Sequence, residues 1–159
     1  MNNKKLKFLL IHPEISRTKY NFVGIIENEC LELEYISSVL QQKEYDVYIY
    51  DGQVEKTDVK TKIKKIKPDV VYVCGRTRQE NFMLEYCEEA KKFNKNILTI
   101  IGGIHAQLSF ERMYNENVDY ILTTFDIFKI LSYNPNTSNK VPITTNKLVI
   151  CPGVNFVLS

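Results

Sequence analysis

Short apolar runs alternate along the chain with stretches whose apolar residues recur every three or four positions. Leu6 to Ile11 is a continuous apolar run, which suits a strand covered on both faces better than an alternating surface strand. A polar, aromatic-bearing loop follows from His12 to about Asn28, and then Leu33, Ile36, Val39 and Leu40 recur at helical spacing through Gln42. Asp46 to Tyr50 predicts a second strand, ending in Asp51-Gly52. Val59, Ile63 and Ile66 mark one face of a second helix whose other face carries Lys60, Lys62, Lys64, Lys65 and Lys67, and Pro68 closes it. Asp69 to Cys74 reads as a third strand, and Phe82, Met83, Tyr86, Cys87, Ala90 and Phe93 form the stripe of a third helix. The run Ile97 to Ile101 predicts a fourth strand, which breaks into Gly102-Gly103-Ile104-His105-Ala106. A short helix with Phe110, Met113 and Tyr114, a strand from Asp119 to Thr123 and a last helix near Ile127 to Leu131 complete the pattern.

A strand followed by a helix, five times over, predicts an α/β fold. Parallel crossovers are right-handed, so the economical arrangement is a three-layer, doubly wound, parallel five-stranded sheet in the order 2-1-3-4-5, which is flavodoxin-like. This domain is expected over residues 1–133. From Asn134 the composition shifts to Asn, Thr, Ser, Pro and Lys, so 134–159 reads as a linker. In it Lys147 to Ile150 and Val154 to Leu158 flank Cys151-Pro152-Gly153, where Pro then Gly fits a type II turn. That tail is either a short hairpin or the start of a further element.

Composition narrows the function classes. With 159 residues, 44% of them hydrophobic, the chain suits one domain with a real core and leaves little room for a second. Twenty-one basic residues against nineteen acidic leave +2, and neither sign forms a long block, so no nucleic acid is expected as a partner. Met1-Asn2-Asn3-Lys4-Lys5 is basic, but the apolar stretch behind it stops at His12-Pro13, too short for a signal peptide. No run approaches the ~20 apolar residues that cross a bilayer, so no membrane partner and a cytoplasmic location are expected. Cys30, Cys74, Cys87 and Cys151 are scattered without zinc or iron–sulfur spacing, and buried reduced thiols are the simpler reading; no metal ligands are assigned.

The candidate chemistry lies on the carboxyl edge of the sheet, where open α/β sheets bind small molecules. Gly102 and Gly103 follow a buried-looking strand directly, leave backbone bare there, and reach angles closed to other residues. On geometry alone a tight strand-to-helix turn is the better reading of the pair. The loops after strand one, His12-Pro13-Glu14, and after strand three, Gly75-Arg76-Thr77, share this edge with Thr123-Thr124-Phe125-Asp126. A lone histidine at a strand end is usually structural, a loop arginine such as Arg76 is more often solvated than a phosphate ligand, and Asp126 can simply cap the last helix.

Five pieces in order carry a family resemblance: Glu32 to Leu40, Tyr45 to Asp51, Pro68-Asp69-Val70-Val71, Gly102-Gly103-Ile104-His105-Ala106 and Val118-Asp119-Tyr120-Ile121. Together, over roughly residues 6–130, they resemble the cobalamin-binding domain that precedes the catalytic domain of many radical S-adenosylmethionine enzymes. The resemblance implies cobalamin as cofactor, a flat corrin ring on the carboxyl edge and a nucleotide tail beside the strands. It points to His12, Pro13, Gly75, Arg76, Thr77, Gly102, Gly103, His105, Ala106, Thr124 and Phe125 as cofactor-binding. Thr77 would supply a hydroxyl, and Thr124 and Phe125 would face the tail. The Asp-x-His-x-x-Gly loop that some cobalamin enzymes use to place a histidine under cobalt is missing; neither His12-Pro13-Glu14 nor His105-Ala106-Gln107 has its spacing. The chain also departs from the family at Ile104, where proline is common, and at Glu32, where glycine usually starts the helix.

The resembling enzymes often use the corrinoid to carry a methyl group. No CxxxCxxC run exists here to hold the cluster that cleaves S-adenosylmethionine, so the chain is not expected to be catalytic alone. It reads as a binding module or as one piece of a longer enzyme, with a radical S-adenosylmethionine catalytic domain as partner in cis or in trans. No G-x-S-x-G elbow and no acid cluster of a phosphotransfer receiver is present. The alternative is a flavodoxin-like domain that holds a flavin or nucleotide or binds another protein. A flavin is disfavoured because Glu14 stands where a phosphate loop would need Ser, Thr or Gly.

Overall fold

A computed structural model describes residues 5–15, 30–55 and 57–123 and the backbone of residues 148–150. Its elements are β1 (Lys7–His12), α1 (Leu31–Gln42), β2 (Asp46–Asp51), α2 (Val59–Ile66), β3 (Val70–Cys74), α3 (Glu80–Phe93), β4 (Leu98–Gly102), α4 (Gly103–Ser109), β5 (Tyr120–Leu122) and β6 (Leu148–Ile150). Single 3-10 turns at Thr77–Gln79 and Phe110–Met113 lead into α3 and out of α4. The first five strands are parallel in the order 2-1-3-4-5, as the β-α alternation predicts, and β6 lies antiparallel beside β5. The expected last helix near Ile127, most of the 134–159 tail and the Cys151-Pro152-Gly153 turn lie outside the described residues.

The sheet is covered on both sides, which explains why its central strands are continuously apolar. On β1, Phe8 and Leu10 pack with Leu33, Ile36 and Leu40 of α1, while Leu9 and Ile11 belong to the opposite cluster with Ile63 of α2 and Met83, Cys87 and Ala90 of α3. β3 and β4 are buried at every position. Caps agree with the local sequence. The Asp58 carboxylate accepts from the Thr61 N–H at 2.9 Å to start α2, and Lys67, in the left-handed region at φ 52°, ends it before Pro68. At the amino edge Asp119 ties β4 to α3, accepting from the Thr99 N–H at 2.8 Å and from Lys91 at 2.6 Å.

One expectation changes. The stretch after β4 is not a loop leading to a later helix, because α4 begins at Gly103 itself and places His105 and Ala106 in its first turns. Gly103 makes this possible with φ +88°, a backbone angle that side-chain-bearing residues rarely adopt. Phe110 and Met113, expected on a helix of their own, fall on the 3-10 turn that follows.

Candidate cofactor site

The carboxyl ends of β1, β3 and β4 are clasped by two polar links, both seated on the 3-10 turn Thr77–Gln79. The first is Gln79, fully buried, whose amide N–H groups donate to the Pro13 carbonyl and approach His12 Nε2 at 3.2 Å. Its carbonyl oxygen accepts from the Arg76 N–H at 2.8 Å. The loops after β1 and β3 are thereby one unit, and every polar group of the Gln79 amide is satisfied.

The second link joins β3 to β4. Thr77 Oγ1 lies 3.2 Å from His105 Nδ1, and His105 Nε2 lies 2.7 Å from Glu80 Oε2. Arg112 holds the same carboxylate by two bonds, Nε to Oε2 at 2.8 Å and Nη2 to Oε1 at 3.0 Å. Those bonds from Arg112 are the main reason the Glu80 carboxyl sits below the usual carboxylate range. His105 is buried, with 1% of its surface exposed, while Thr77 at the other end of the relay is exposed.

Both histidines of the chain are engaged at both ring nitrogens. His12 has Gln79 at Nε2 and, at Nδ1, Gln53 at 3.2 Å and Asp51 at 3.5 Å. Burial lowers the His12 pKa, with Asp51 opposing, so the neutral ring is favoured. Glu14 is folded inward, where its carboxylate accepts from the Tyr86 hydroxyl. Burial is also the first cause of the raised hydroxyl pKa values of Tyr86 and, to about 12, of Tyr50.

The glycines differ from the bare backbone that the sequence implied. Gly102 and Gly103 are both buried. A β-carbon on Gly102 would stand 2.6 Å from Tyr72 Cζ and closer still to its hydroxyl, so the missing side chain makes room for the Tyr72 ring. That hydroxyl donates to Glu32 Oε1 at 2.5 Å, joining β3 to the first turn of α1. Burial raises the pKa of both partners. Close by, Cys30 and Cys74 meet at 3.2 Å between sulfurs, which lowers the Cys30 thiol and raises that of Cys74.

The surface of this edge is mixed. Arg76, Thr77 and Arg78 are exposed, and so are two apolar side chains, Leu31 at 68% and Ile104 at 45%. Exposed aliphatic groups and a hydroxyl on one sheet edge are the kinds of group that suit the flat face and amide rim of a corrin. Below the edge, on the α1 side, the room beside Gly102 is already taken by Tyr72. Of the residues expected to bind cofactor, Arg76 and Thr77 are exposed; His12, Pro13, Gly75, Gly102, Gly103, His105 and Ala106 are buried beneath them; Thr124 and Phe125 lie outside the described residues.

The B12 binding domain family matches residues 28–126, most of the described chain. The chain belongs to that family. Cobalamin is accordingly the cofactor of this B12 binding domain. An uncharacterized methyltransferase of Pyrococcus horikoshii is 30% identical over 116 residues, which are 71% of this chain and 25% of that protein. The chain therefore spans about a quarter of the length of that relative. The crystal structure of a cobalamin-binding protein from Desulfitobacterium hafniense superposes with a TM-score of 0.55 at 20% identity, covering 80% of this chain and 58% of that one. This likeness establishes the fold.

Sequence reasoning missed Glu80, Arg112, Gln79 and Tyr72 as parts of this B12 binding domain's edge. Glu80 carried a usable signal, since it sits three residues after Thr77 at the start of a helix. For Tyr72 and Arg112 the sequence holds no local signal, because their partners lie 40 and 32 residues away.

Proposed function

We propose that this domain carries cobalamin for a methyltransferase of the radical S-adenosylmethionine type, with the catalytic domain supplied in cis or in trans. The single observation behind the binding mode is the clasped edge. One exposed hydroxyl, Thr77, and two exposed aliphatic residues, Leu31 and Ile104, stand above loops locked by Gln79 and by the Glu80–His105 pair. The methyltransferase assignment rests on the relative from Pyrococcus horikoshii, which is long enough for a further domain. The radical type rests on the family resemblance of the five sequence pieces.

When bound, cobalamin supplies a cobalt centre able to carry a methyl group, and the protein contributes position and local polarity. Leu31 and Ile104 would hold the apolar face of the ring and exclude water from it. Thr77 would bind the amide rim, with His105 and Glu80 orienting its hydroxyl. Neither histidine has a ring nitrogen free for cobalt, so the chain would offer no imidazole beneath the metal. Arg76 would stay at the rim, where it can meet the cofactor phosphate or a carboxylate of the partner.

Titration with hydroxocobalamin tests this directly. Binding should perturb the visible spectrum of the corrinoid, survive dialysis, and raise the melting temperature as ligand exceeds its dissociation constant. Ile104→Asp should weaken retention without unfolding the domain, since the side chain is already exposed. A protein that stays colourless after dialysis and shows no thermal shift refutes the proposal.

A further inference from the structure

The relay that ends at Thr77 has a polarity, and the polarity follows from which groups can only accept. Glu80 is ionised, held so chiefly by the two bonds from Arg112. A carboxylate has no proton to give, so the 2.7 Å contact requires the proton on His105 Nε2. In a neutral ring with its proton on Nε2, Nδ1 is a lone pair. At 3.2 Å that lone pair takes the hydroxyl proton of Thr77. What Thr77 presents to the edge is oxygen lone pairs alone.

We propose that Thr77, polarised through His105 and Glu80, acts as an obligate hydrogen-bond acceptor and selects corrinoids whose rim groups are amides over those carrying a carboxylate in their place. An amide donates N–H to the oxygen, while a carboxylate brings a second acceptor against it. This rests on the cobalamin reading and adds the specificity of the site. Glu80, His105 and Arg112 are positioning residues, acting on the ligand through Thr77. The exposed Arg76 and Arg78 beside it work against the selection by attracting any carboxylate at long range. Their pull is removed by salt, since the Debye length falls to about 3 Å at 1 M, whereas a direct hydrogen bond is not.

The test has two arms. In the protein without ligand, long-range proton–nitrogen NMR of the His105 ring, assigned with His12→Gln, should show Nε2 protonated and Nδ1 bare. Protonation at Nδ1, or at both nitrogens, overturns the polarity whether or not cobalamin binds. In the second arm, hydroxocobalamin and its derivative with one rim amide hydrolysed to the acid are titrated at high salt, taking each rim position in turn. At one position or more the acid should bind about tenfold more weakly, the order expected for one hydrogen bond lost against an acceptor. Thr77→Val should abolish that ratio, Thr77→Ser should restore it, and Glu80→Gln should reduce it by freeing the ring to adopt either tautomer. A Thr77→Val protein with the wild-type ratio overturns the selection while leaving cobalamin binding intact. Absence of binding by either corrinoid, with Nε2 protonated, overturns the cobalamin reading and the selection with it.

Discussion

Gly102→Ala is a one-carbon change that the structure makes expensive. The backbone at this residue is extended, φ −141° and ψ −162°, which any residue adopts, so the new methyl meets no conformational objection. The objection is steric. The methyl would lie 2.6 Å from Tyr72 Cζ and 2.8 Å from Cε2, inside the distance that real β-carbons keep. Tyr72 is 2% exposed, sits between β4 and α1, and is anchored to Glu32, so its ring cannot swing away freely. Overpacking of this kind costs about 1–3 kcal/mol, and losing a hydrogen bond to a charged group adds about 1.5–3 kcal/mol. Gly102→Ala is therefore expected to cost about 4 kcal/mol. Urea denaturation reads this as a lower midpoint at unchanged slope. Tyr72→Val removes the ring atoms in the way, so in that background Gly102→Ala should cost less than about 1 kcal/mol, and the double-mutant cycle should return a coupling near 3 kcal/mol. If Gly102→Ala alone unfolds at the wild-type midpoint, or costs the same in both backgrounds, the glycine is not there to seat Tyr72.

Two further outcomes follow from the clasp. Gln79→Leu removes the amide while nearly keeping its volume, leaving the Pro13 carbonyl and the Arg76 N–H without their partner. Each such group costs about 1–3 kcal/mol when buried, so a loss of about 3 kcal/mol and faster hydrogen exchange at the Arg76 amide are expected; protection unchanged at Arg76 would show that Gln79 does not hold the loop. His12 gives a pH dependence. Burial sets its folded pKa below 6.5, so between the two pKa values the unfolded chain binds more protons and stability rises with pH. Stability is lost as pH falls below 6.5 toward the folded value, and His12→Gln should flatten that slope in urea midpoints taken over about pH 5–8.

The order and direction of the five parallel strands were legible because each depends on signals spread over many residues, whereas the pairing of β6 antiparallel to β5 was not. The period of the apolar positions separates helix from buried strand, and right-handed crossovers leave few ways to order five parallel strands. The family was legible for the same reason, since five weak pieces at set separations add up. The glycine pair shows where this kind of reading stops. A glycine after a strand has three physical uses, which are a special backbone angle, room for a ligand or room for a neighbouring side chain, and the sequence does not separate them. In the structure Gly103 has the first use and Gly102 the third. Likewise Glu32 reads as a departure from a helix-starting glycine, yet its carboxylate anchors Tyr72 from 40 residues away. Side-chain partners of that kind are chosen by the fold after the chain has returned on itself, so no local pattern announces them.

The clasped edge also explains why the residues most expected to touch a ligand are mostly buried. His12, Gly75, Gly102 and His105 sit one layer down, and what they do is fix the residues above them. The four residues Thr77 to Glu80 concentrate this function, because Gln79 ties the turn to β1 and Thr77 with Glu80 ties it to α4. A turn held from both sides loses little conformational freedom when a ligand arrives, so more of the contact energy appears as affinity. The same wiring makes the edge fail as a unit. Cutting the Gln79 link should disturb the Thr77–His105 contact through the turn that Thr77 and Gln79 share. Proton–nitrogen spectra of the His105 ring in Gln79→Leu would register that disturbance directly. If the His105 signals stayed where they are in the parent protein, the two links would be independent and the edge would be two local turns instead of one preorganised surface.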